Sequence, residues 1–252
     1  MNNSTILEAV DLHKSFGKTP IINGFSLAIA RGQRHAIIGP NGAGKTTLFN
    51  LFSGRYRPTS GRIMFDGRDV TGYSPYQINR LGMARSFQIT NIFPKLSVLE
   101  NVRSVVMSKH RVYFNCFRNI RHWKEPTRET LAILEQTGLH DKKDDLAGSL
   151  SYGGQRALEI ALTVASDPQL ILLDEPTAGM SVDETREAVK LVDTITRGKT
   201  LIIIEHDMEV VFNLADVITV IHYGEVLATG SPEEIRSDQR VKEAYLGDQN
   251  VC

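Results

Sequence analysis

The sequence predicts an α/β fold: a parallel sheet covered by helices, an antiparallel β lobe beside it, and a helical subdomain inserted into the core. Short β-branched runs alternate with helical patterns, and residues 170–173 and 200–204 are both typical of buried strands. Between these runs, apolar side chains recur at the spacing of one helix face, at Ala188, Leu191, Val192 and Ile195. Strand, helix and strand at this spacing predict a parallel pair with a covering helix.

An earlier strand-to-helix junction indicates the same class. Residues 34–38 (RHAII) predict a buried strand, and the segment after Gly44 predicts a helix. Asp66 and Gly67 form a strong turn dipeptide. The segments near it that are typical of strands joined by short turns are residues 6–12, 21–29 and 62–65. We expect these strands to form the antiparallel lobe.

The middle of the chain, about residues 88–167, has a different pattern. Its helical segments are residues 98–107, 127–137 and 152–166. We therefore expect a helical subdomain that is inserted in the α/β core. Because no repeat, low-complexity tract or linker interrupts the sequence, we interpret residues 1–252 as a single domain.

The composition is that of an ordinary globular protein, 41% hydrophobic with 29 basic and 29 acidic residues. A net charge of zero gives no electrostatic reason to expect nucleic acid as a partner. Residues 109–124 are basic and aromatic, but a solvated loop or a partner-contact surface explains one such segment better than RNA binding. Cys116 and Cys252 have no metal-ligand spacing, so we expect both thiols to be reduced and unpaired.

The N-terminus and the apolar runs bear on membrane targeting. Residues 1–12 lack the basic start and the apolar core of a signal peptide. The longest apolar runs, such as residues 201–204, are far shorter than the roughly 20 residues needed to span a bilayer. We therefore expect the chain to reach a membrane only through another chain.

Residues 39–46 read GPNGAGKT, a full match to G-x-x-x-x-G-K-[ST] between a strand and a helix. Glycines let the backbone wrap phosphates with its N–H groups pointing inward, and the helix N-terminus adds partial positive charge. Lys45 would reach the β- and γ-phosphates, and Thr46 would ligate Mg²⁺. The nucleotide-binding residues that this motif predicts are Gly39, Pro40, Asn41, Gly42, Ala43, Gly44, Lys45, Thr46 and Thr47.

Two carboxylates, Asp174 and Glu175, follow the apolar run at residues 170–173. A carboxylate at the end of a buried parallel strand lies at the sheet edge where ligands bind. Asp174 would hold Mg²⁺ through water, and Glu175 would orient and deprotonate the attacking water. An acidic strand end alone is a weak signal and is usually just solvated, but paired with the phosphate motif it becomes a strong one.

With these motifs, the chain resembles the ATP-binding subunits of ATP-binding cassette (ABC) transporters over nearly its whole length, and the motifs occur in the family's order. The resemblance implies that Phe16, in KSFG, stacks on adenine. It implies that Gln88, in RSFQ, senses Mg²⁺ and the γ-phosphate, and that His206, after TLIIIE, contacts the γ-phosphate. The implied cofactors are ATP and Mg²⁺, with Thr46, Gln88 and Asp174 binding the metal.

Residues 150–155 (LSYGGQ) resemble the family's signature, LSGGQ, with a departure. Either Tyr152 is inserted, or the length is kept and Tyr152 and Gly154 stand at the first Gly and at the Gln. The usual distance from signature to DEP favours the second alternative. Ser151 and Gly153 then keep the phosphate-binding positions at the start of a helix, with Gly154 beside them.

A second departure lies at Ser181, in AGMS, where the family usually has an Asp that makes a contact across the subunit interface. With LSYGGQ, the sequences LEIA, EPTAGM, IEHDM and EAYLG and the long segment 108–126 resemble the branched-chain amino acid uptake group. Uptake of urea or short amides within that group is an alternative. Another is the lipopolysaccharide-export ATPase, which shares the closing motif but usually lacks the long insertion.

The resemblance also implies partners. In the family, two subunits face each other head to tail, and ATP lies between the phosphate motif of one and the signature of the other. One set of motifs per chain implies a second ATP-binding subunit, identical or different. Transmembrane permease subunits and, indirectly, a periplasmic substrate-binding protein are implied, without nucleic acid, at the cytoplasmic face of the inner membrane. The rival class is a soluble ABC ATPase, which usually carries two cassettes or coiled-coil insertions or lacks this tail.

Overall fold

The computed structural model describes residues 5–86, 92–110 and 124–247. Within these ranges the strands are β1 (Thr5–Phe16), β2 (Thr19–Ala30), β3 (Arg34–Ile38), β4 (Ser60–Phe65), β5 (Arg68–Asp69), β6 (Met83–Arg85), β7 (Leu170–Asp174), β8 (Thr200–Ile204), β9 (Val217–His222) and β10 (Glu225–Gly230). The helices of the same ranges are α1 (Lys45–Phe52), α2 (Pro75–Arg80), α3 (Val98–Lys109), α4 (Lys124–Gln136), α5 (Tyr152–Ala165), α6 (Val182–Ile195), α7 (Met208–Leu214), α8 (Pro232–Ser237) and α9 (Gln239–Gly247).

The central sheet has the strand order β10-β9-β3-β8-β7-β6. Its strands run parallel, except that β10 pairs antiparallel with β9 at one edge. Every residue of β7 and β8 is buried, as expected of parallel strands that are covered on both faces. The predicted strand–helix–strand unit is confirmed, because β7, α6 and β8 follow one another and β7 pairs with β8. The carboxyl ends of β3, β7 and β8 therefore meet at one edge of the sheet.

The antiparallel lobe is a second sheet with the order β2-β1-β4-β5, so this prediction is also confirmed. Asp66 and Gly67 join β4 to β5, and both have positive φ, 48° and 73°. Two left-handed residues form the type of hairpin turn whose twist matches that of the flanking strands. The lobe is held against α1 by a shared apolar core that includes Phe25, Phe65 and Phe52.

The helical subdomain consists of α3, α4 and α5, whose core includes Val102, Leu134 and Leu158, all fully buried. The predicted helices are confirmed, but α4 begins at residue 124 rather than 127 and α3 runs to 109 rather than 107. Pro126 lies in the first turn of α4, where the missing N–H of proline breaks no helical hydrogen bond. The helix can therefore begin before the residues whose apolar periodicity predicted it.

Gln88, Cys116 and Cys252 lie outside the described residues. Within the part of the chain that the structure describes, no helix is both long and apolar enough to cross a membrane.

Candidate functional site

The phosphate loop, residues 39–46, leaves β3 at the centre of the sheet and runs into α1. Gly42 and Gly44 have φ values of 80° and 104°, which residues with a side chain rarely adopt. A Cβ on Gly44 would lie 2.7 Å from Cδ1 of Ile22, so the loop packs too closely against β2 for a side chain. Gly44 is also the N-cap of α1, and since it has no side chain, it leaves the first N–H groups of the helix uncovered for an anion.

The Lys45 side chain folds back over the phosphate loop. Its Nζ donates to the carbonyl oxygens of Gly39 and Pro40 at 2.6 and 2.9 Å. Lys45 is buried, which lowers the pKa of its ammonium, while the nearby carboxylates of Glu175 and Asp174 oppose that shift. The loop thus holds one buried cation where the sequence predicts the β- and γ-phosphates.

β7 and β8 end side by side at the same edge of the sheet. Asp174 is the last residue of β7, and Glu175 follows it in the left-handed backbone region, with a φ of 49°. His206 lies just after β8, and its Nε2 is 2.6 Å from Oε1 of Glu175. The fold therefore brings together the predicted general base and the predicted histidine.

Asp174 is buried and forms an ion pair with Arg85 of β6, whose Nη2 donates to Oδ2 at 2.7 Å. Burial raises the pKa of the Asp174 carboxyl, and the Arg85 guanidinium opposes that shift. The other carboxylate oxygen, Oδ1, is buried and has no hydrogen-bond partner among the described residues. Such a buried carboxylate oxygen can accept a hydrogen bond from a water molecule bound to a hard divalent cation such as Mg²⁺.

A cleft of about 350 Å³ lies over the phosphate loop. The sequence predicted nine of its lining residues, and Ile21 is the tenth. The predicted ones are Phe16, Asn41, Gly42, Gly44, Lys45, Thr46, Thr47, Glu175 and His206. One cleft thus contains an aromatic ring, a cation, a hydroxyl at a helix start and a carboxylate, which are the groups needed to bind a nucleotide and hydrolyse it.

Phe16 ends β1 at the rim of this cleft and is 46% exposed, so it is not a core residue. Its ring packs edge-on against Tyr56, with the ring centroids 5.3 Å apart and an interplanar angle of 78°. Lys14 Nζ lies 4.9 Å from the centroid of the Phe16 ring. An exposed, laterally supported aromatic at this rim can stack on a base.

Ser151, Gly153 and Gly154 do not line this cleft; they lie at the start of α5, on a separate groove of about 690 Å³. The Ser151 hydroxyl caps α5 by accepting a hydrogen bond from the Gly154 N–H at 3.2 Å. A Cβ on Gly153 would be 3.4 Å from Oε1 of Glu184, so the start of α5 lies beside the first turn of α6. Within one chain, the structure keeps the signature residues apart from the phosphate loop.

The two departures from the family pattern have local partners in the fold. Tyr152 Oη donates to the carbonyl oxygen of Ala178 at 2.9 Å, which ties the start of α5 to the loop after β7. Ser181 is the N-cap of α6, and Glu184 completes a capping box with it. Tyr152 and Ser181 therefore stabilise the loop that follows Glu175 within the same subunit.

Sequence reasoning missed three buried residues that contact the site: Arg85, Thr177 and Glu205. Arg85 pairs with Asp174, and the Glu205 carboxylate accepts hydrogen bonds from Thr177 and from the His206 backbone. A charged residue at the end of an apolar strand was the available signal, in MAR and in TLIIIE. That signal names no partner, because the partners come from other strands.

A glycine-rich phosphate loop at the centre of a parallel sheet, with two carboxylates at the same edge, defines the class of phosphate-loop nucleotide hydrolases. A family model described as ABC transporter matches residues 22–178. The chain belongs to this family and is one of its ATP-binding ATPase subunits. A second model, described as branched-chain amino acid ATP-binding cassette transporter, matches residues 225–249.

The relatives agree with this assignment. The chain is 37% identical to the high-affinity branched-chain amino acid transport ATP-binding protein BraF of Pseudomonas aeruginosa, over 96% of this chain and 98% of the relative. It is 36% identical to LivG of Salmonella typhimurium, with the same coverage. It is 33% identical to the lipopolysaccharide export ATP-binding protein LptB of Acidithiobacillus ferridurans, over 98% of both. The solved ADP conformation of an ATP-binding cassette of an ABC transporter matches with a TM-score of 0.83 at 28% identity, covering 97% of this chain and 99% of that one.

Proposed function

We propose that this chain hydrolyses ATP to power an importer of branched-chain or related amino acids. The observation that carries the substrate class is the match of residues 225–249 to the branched-chain amino acid transporter model, a segment that follows the ATPase motifs. The names of BraF and LivG support the same class.

The cleft over the phosphate loop is the proposed ATP site. Phe16 stacks on adenine at the rim, the loop backbone surrounds the phosphates, and the Lys45 ammonium moves from its own loop carbonyls to the β- and γ-phosphates. Thr46, Asp174 and Gln88 would hold Mg²⁺, and the buried Oδ1 of Asp174, which has no hydrogen-bond partner in the part of the chain that the structure describes, supports this assignment. When bound, the metal neutralises charge that develops on the phosphates.

Glu175 is the proposed general base. Its carboxylate accepts a proton from the attacking water, and the imidazole of His206, already 2.6 Å from that carboxylate, is placed to contact the γ-phosphate. Asp174 is not available as the base, because its Oδ2 is paired with Arg85 in the protein interior. The two neighbouring carboxylates therefore have different roles that follow from their different surroundings.

Each ATP is proposed to be completed by a second subunit. Ser151, Gly153 and Gly154 lie outside the cleft of their own chain, so they serve the γ-phosphate held by a partner's phosphate loop. The partner is a second ATP-binding subunit, either a copy of this chain or a related one. ATP then holds the two subunits together, and hydrolysis releases them.

The proposed complex also contains transmembrane permease subunits, and indirectly a periplasmic substrate-binding protein, at the cytoplasmic face of the inner membrane. Phe93, Leu96 and Leu146 support a protein partner, because these apolar side chains are 58%, 38% and 55% exposed around the entry to the helical subdomain. We infer that residues 88–95 and the helical insertion form the surface that contacts the permease, and these three side chains lie within it. The neutral net charge gives no support to nucleic acid as a partner.

Two alternatives have less support. Lipopolysaccharide export is supported by the 33% identity to LptB, but the identities to BraF and LivG are higher, 37% and 36%, and the long segment 108–126, which the export group usually lacks, favours amino acid uptake. A soluble ABC ATPase would need no permease.

Glu175→Gln tests the mechanism. This variant keeps the hydrogen bonding of the side chain but cannot take the proton, so hydrolysis should fall by about 10²–10⁴-fold. Bound ATP then persists, and the variant should dimerise in ATP and Mg²⁺ but not in ADP. Adding Ser151→Arg should abolish that dimer, because the bulky cation blocks the phosphate contact. A Glu175→Gln chain that stays monomeric is then mixed with the ATP-binding subunit that co-purifies from membranes, and no ATP-dependent heterodimer would refute the proposed sandwich.

Co-purification from membranes tests the transport function. The tagged chain should bring down multi-span permease subunits, and ATP hydrolysis by that complex should rise with a leucine-loaded binding protein. Lys45→Ala provides the control that removes hydrolysis. An intact, ATP-hydrolysing chain that recovers no membrane partner would favour the soluble class instead.

A further inference from the structure

A buried carboxylate, Glu205, joins the two loops that carry the proposed catalytic groups. Glu205 directly follows β8 and is only 4% exposed. Its Oε1 accepts hydrogen bonds from the backbone N–H and the hydroxyl of Thr177, at 2.9 and 2.6 Å. Its Oε2 accepts one from the backbone N–H of His206 at 3.1 Å. One side chain therefore holds the loop after β7 and the loop after β8 at a set distance.

The loop after β7 has a strained backbone, and the hydrogen bonds to Glu205 restrain it. Glu175 has a left-handed backbone, with a φ of 49°, which is strained for a residue with a long side chain. Its N–H donates to the Ile204 carbonyl, and the Ala178 N–H donates to the Glu175 carbonyl, which closes a turn. Thr177 lies inside that turn and is buried, so its two bonds to Glu205 keep the turn closed.

The hydrogen bonds of Glu205 also affect the contact between Glu175 and His206. Their side chains are 19% and 47% exposed, so packing alone restrains them incompletely. Glu205 accepts two hydrogen bonds on the Glu175 side of the pair, both from Thr177, and one on the other side, from the His206 backbone, so it restrains both sides. None of its hydrogen bonds reaches the phosphate loop, which holds the proposed ATP contacts.

We propose that Glu205 is a positioning residue for ATP hydrolysis: through Thr177 and the His206 backbone it sets the placement of Glu175 relative to His206, and so controls turnover rather than ATP binding. This inference rests on the roles proposed above for Glu175 and His206. Glu205 does not line the ATP cleft itself; it acts through Thr177 and through the backbone of His206, which does line it.

The Glu205→Gln variant distinguishes a role in positioning Glu175 relative to His206 from a general contribution to the stability of the fold. The amide oxygen can still accept both Thr177 bonds, but the amide nitrogen then faces the His206 N–H, donor against donor. A misplaced catalytic group can cost about 10²-fold for a shift of about 1 Å, so we expect kcat to fall about 10- to 100-fold. The KM for ATP and the affinity for a fluorescent ATP analogue should stay within about twofold, because no phosphate-loop contact is lost.

Thr219→Val is the matched control. Thr219 is also buried, and its hydroxyl contacts His35 Nε2 at 2.8 Å and Thr229 Oγ1 at 2.9 Å within the central sheet, so the variant loses two buried hydrogen bonds away from the cleft. We expect Thr219→Val to keep the wild-type kcat. Equal loss of kcat in both variants would overturn the proposal, as would an unchanged kcat in Glu205→Gln or a parallel loss of kcat, ATP affinity and Tm.

Thr177→Val decides the case if Glu205→Gln fails to fold. It removes the 2.6 Å hydroxyl bond and keeps the backbone bond, so kcat should fall by a few-fold with an unchanged KM. An unchanged kcat in a folded Thr177→Val variant would overturn the positioning role. Wild-type chain is assayed alongside: if it hydrolyses no ATP with its ATPase and permease partners, the proposed function fails as well.

Discussion

Replacing Arg85 with Met should destabilise the protein far more than the loss of a surface ion pair. Arg85 and Asp174 side chains are 6% and 0% exposed, and the Arg85 guanidinium also donates to Asn50 Oδ1 and Ser53 Oγ at 2.8 and 3.0 Å. Removing one member of a buried pair typically costs about 3–5 kcal/mol, because the other charge is left uncompensated. The loss would therefore be a large part of the stability of an ordinary domain.

The destabilisation caused by Arg85→Met should depend on pH, because the Asp174 carboxylate can lose its unpaired charge by taking up a proton. Holding an Asp of ordinary pKa protonated costs about 1.4 kcal/mol per pH unit above about 3.9, which limits the penalty to about 5 kcal/mol at pH 7.5 and about 2 kcal/mol at pH 5.5. In the variant, the folded-state pKa of Asp174 is raised further above its unfolded value. The destabilisation is then largest at high pH and shrinks as the pH falls.

Urea unfolding of both proteins at the two pH values measures this difference. Arg34→Met is the control, because the Arg34–Asp193 pair has a similar 2.7 Å contact but side chains that are 18% and 36% exposed, so its loss should cost on the order of 1 kcal/mol. Adding Asp174→Asn to Arg85→Met should restore stability by removing the stranded charge. The reasoning would be refuted if the two Arg variants lost the same free energy of unfolding and if the loss in Arg85→Met were no smaller at pH 5.5 than at pH 7.5.

Four further predictions concern the site and the strand that leads to it. Lys45→Ala should abolish ATP hydrolysis and strongly weaken ATP binding, and near-normal turnover would contradict the phosphate-loop assignment. Phe16→Ala should weaken ATP binding by about 1–3 kcal/mol by analogy with base stacking, whereas Phe16→Tyr should not; equal Kd values in all forms would rule out stacking. Tyr152→Phe removes two hydrogen bonds of the Tyr152 hydroxyl, one to the Ala178 carbonyl and one from Arg156 Nη2, and should lower the free energy of unfolding by about 0.5–1.5 kcal/mol per bond, which urea melts can detect. Burial lowers the pKa of His35 to about 4, so only the unfolded chain gains a proton just below the ordinary value of 6.5. The free energy of unfolding should fall by up to about 3 kcal/mol as the pH drops from 6.5 to about 4. The His35→Gln variant should show a flatter dependence of stability on pH in that range.

Some parts of the protein could be predicted because their signals lie within a few consecutive residues. The strand, the glycine-rich turn and the helix around Lys45 are consecutive in the sequence, so their order could be predicted locally, and the φ values of Gly42 and Gly44 depend on that local turn. The position of Asp174 and Glu175 at the sheet edge could be predicted because a buried strand ends at Asp174. Their chemical roles stay predictions, and the segment with Gln88 lies outside the described residues.

Contacts between residues that are far apart in the sequence depend on how the strands are arranged in the fold. β3 lies between β8 and β9, and no local pattern specifies this order; β9 and β10 had no predicted counterpart. The contact of His206 with Glu175, the pairing of Arg85 with Asp174 and the bonds of Glu205 all follow from it. The physical reason is that a side chain's residue type sets which partner it can accept, but the order and register of the strands set which partner is within about 3 Å.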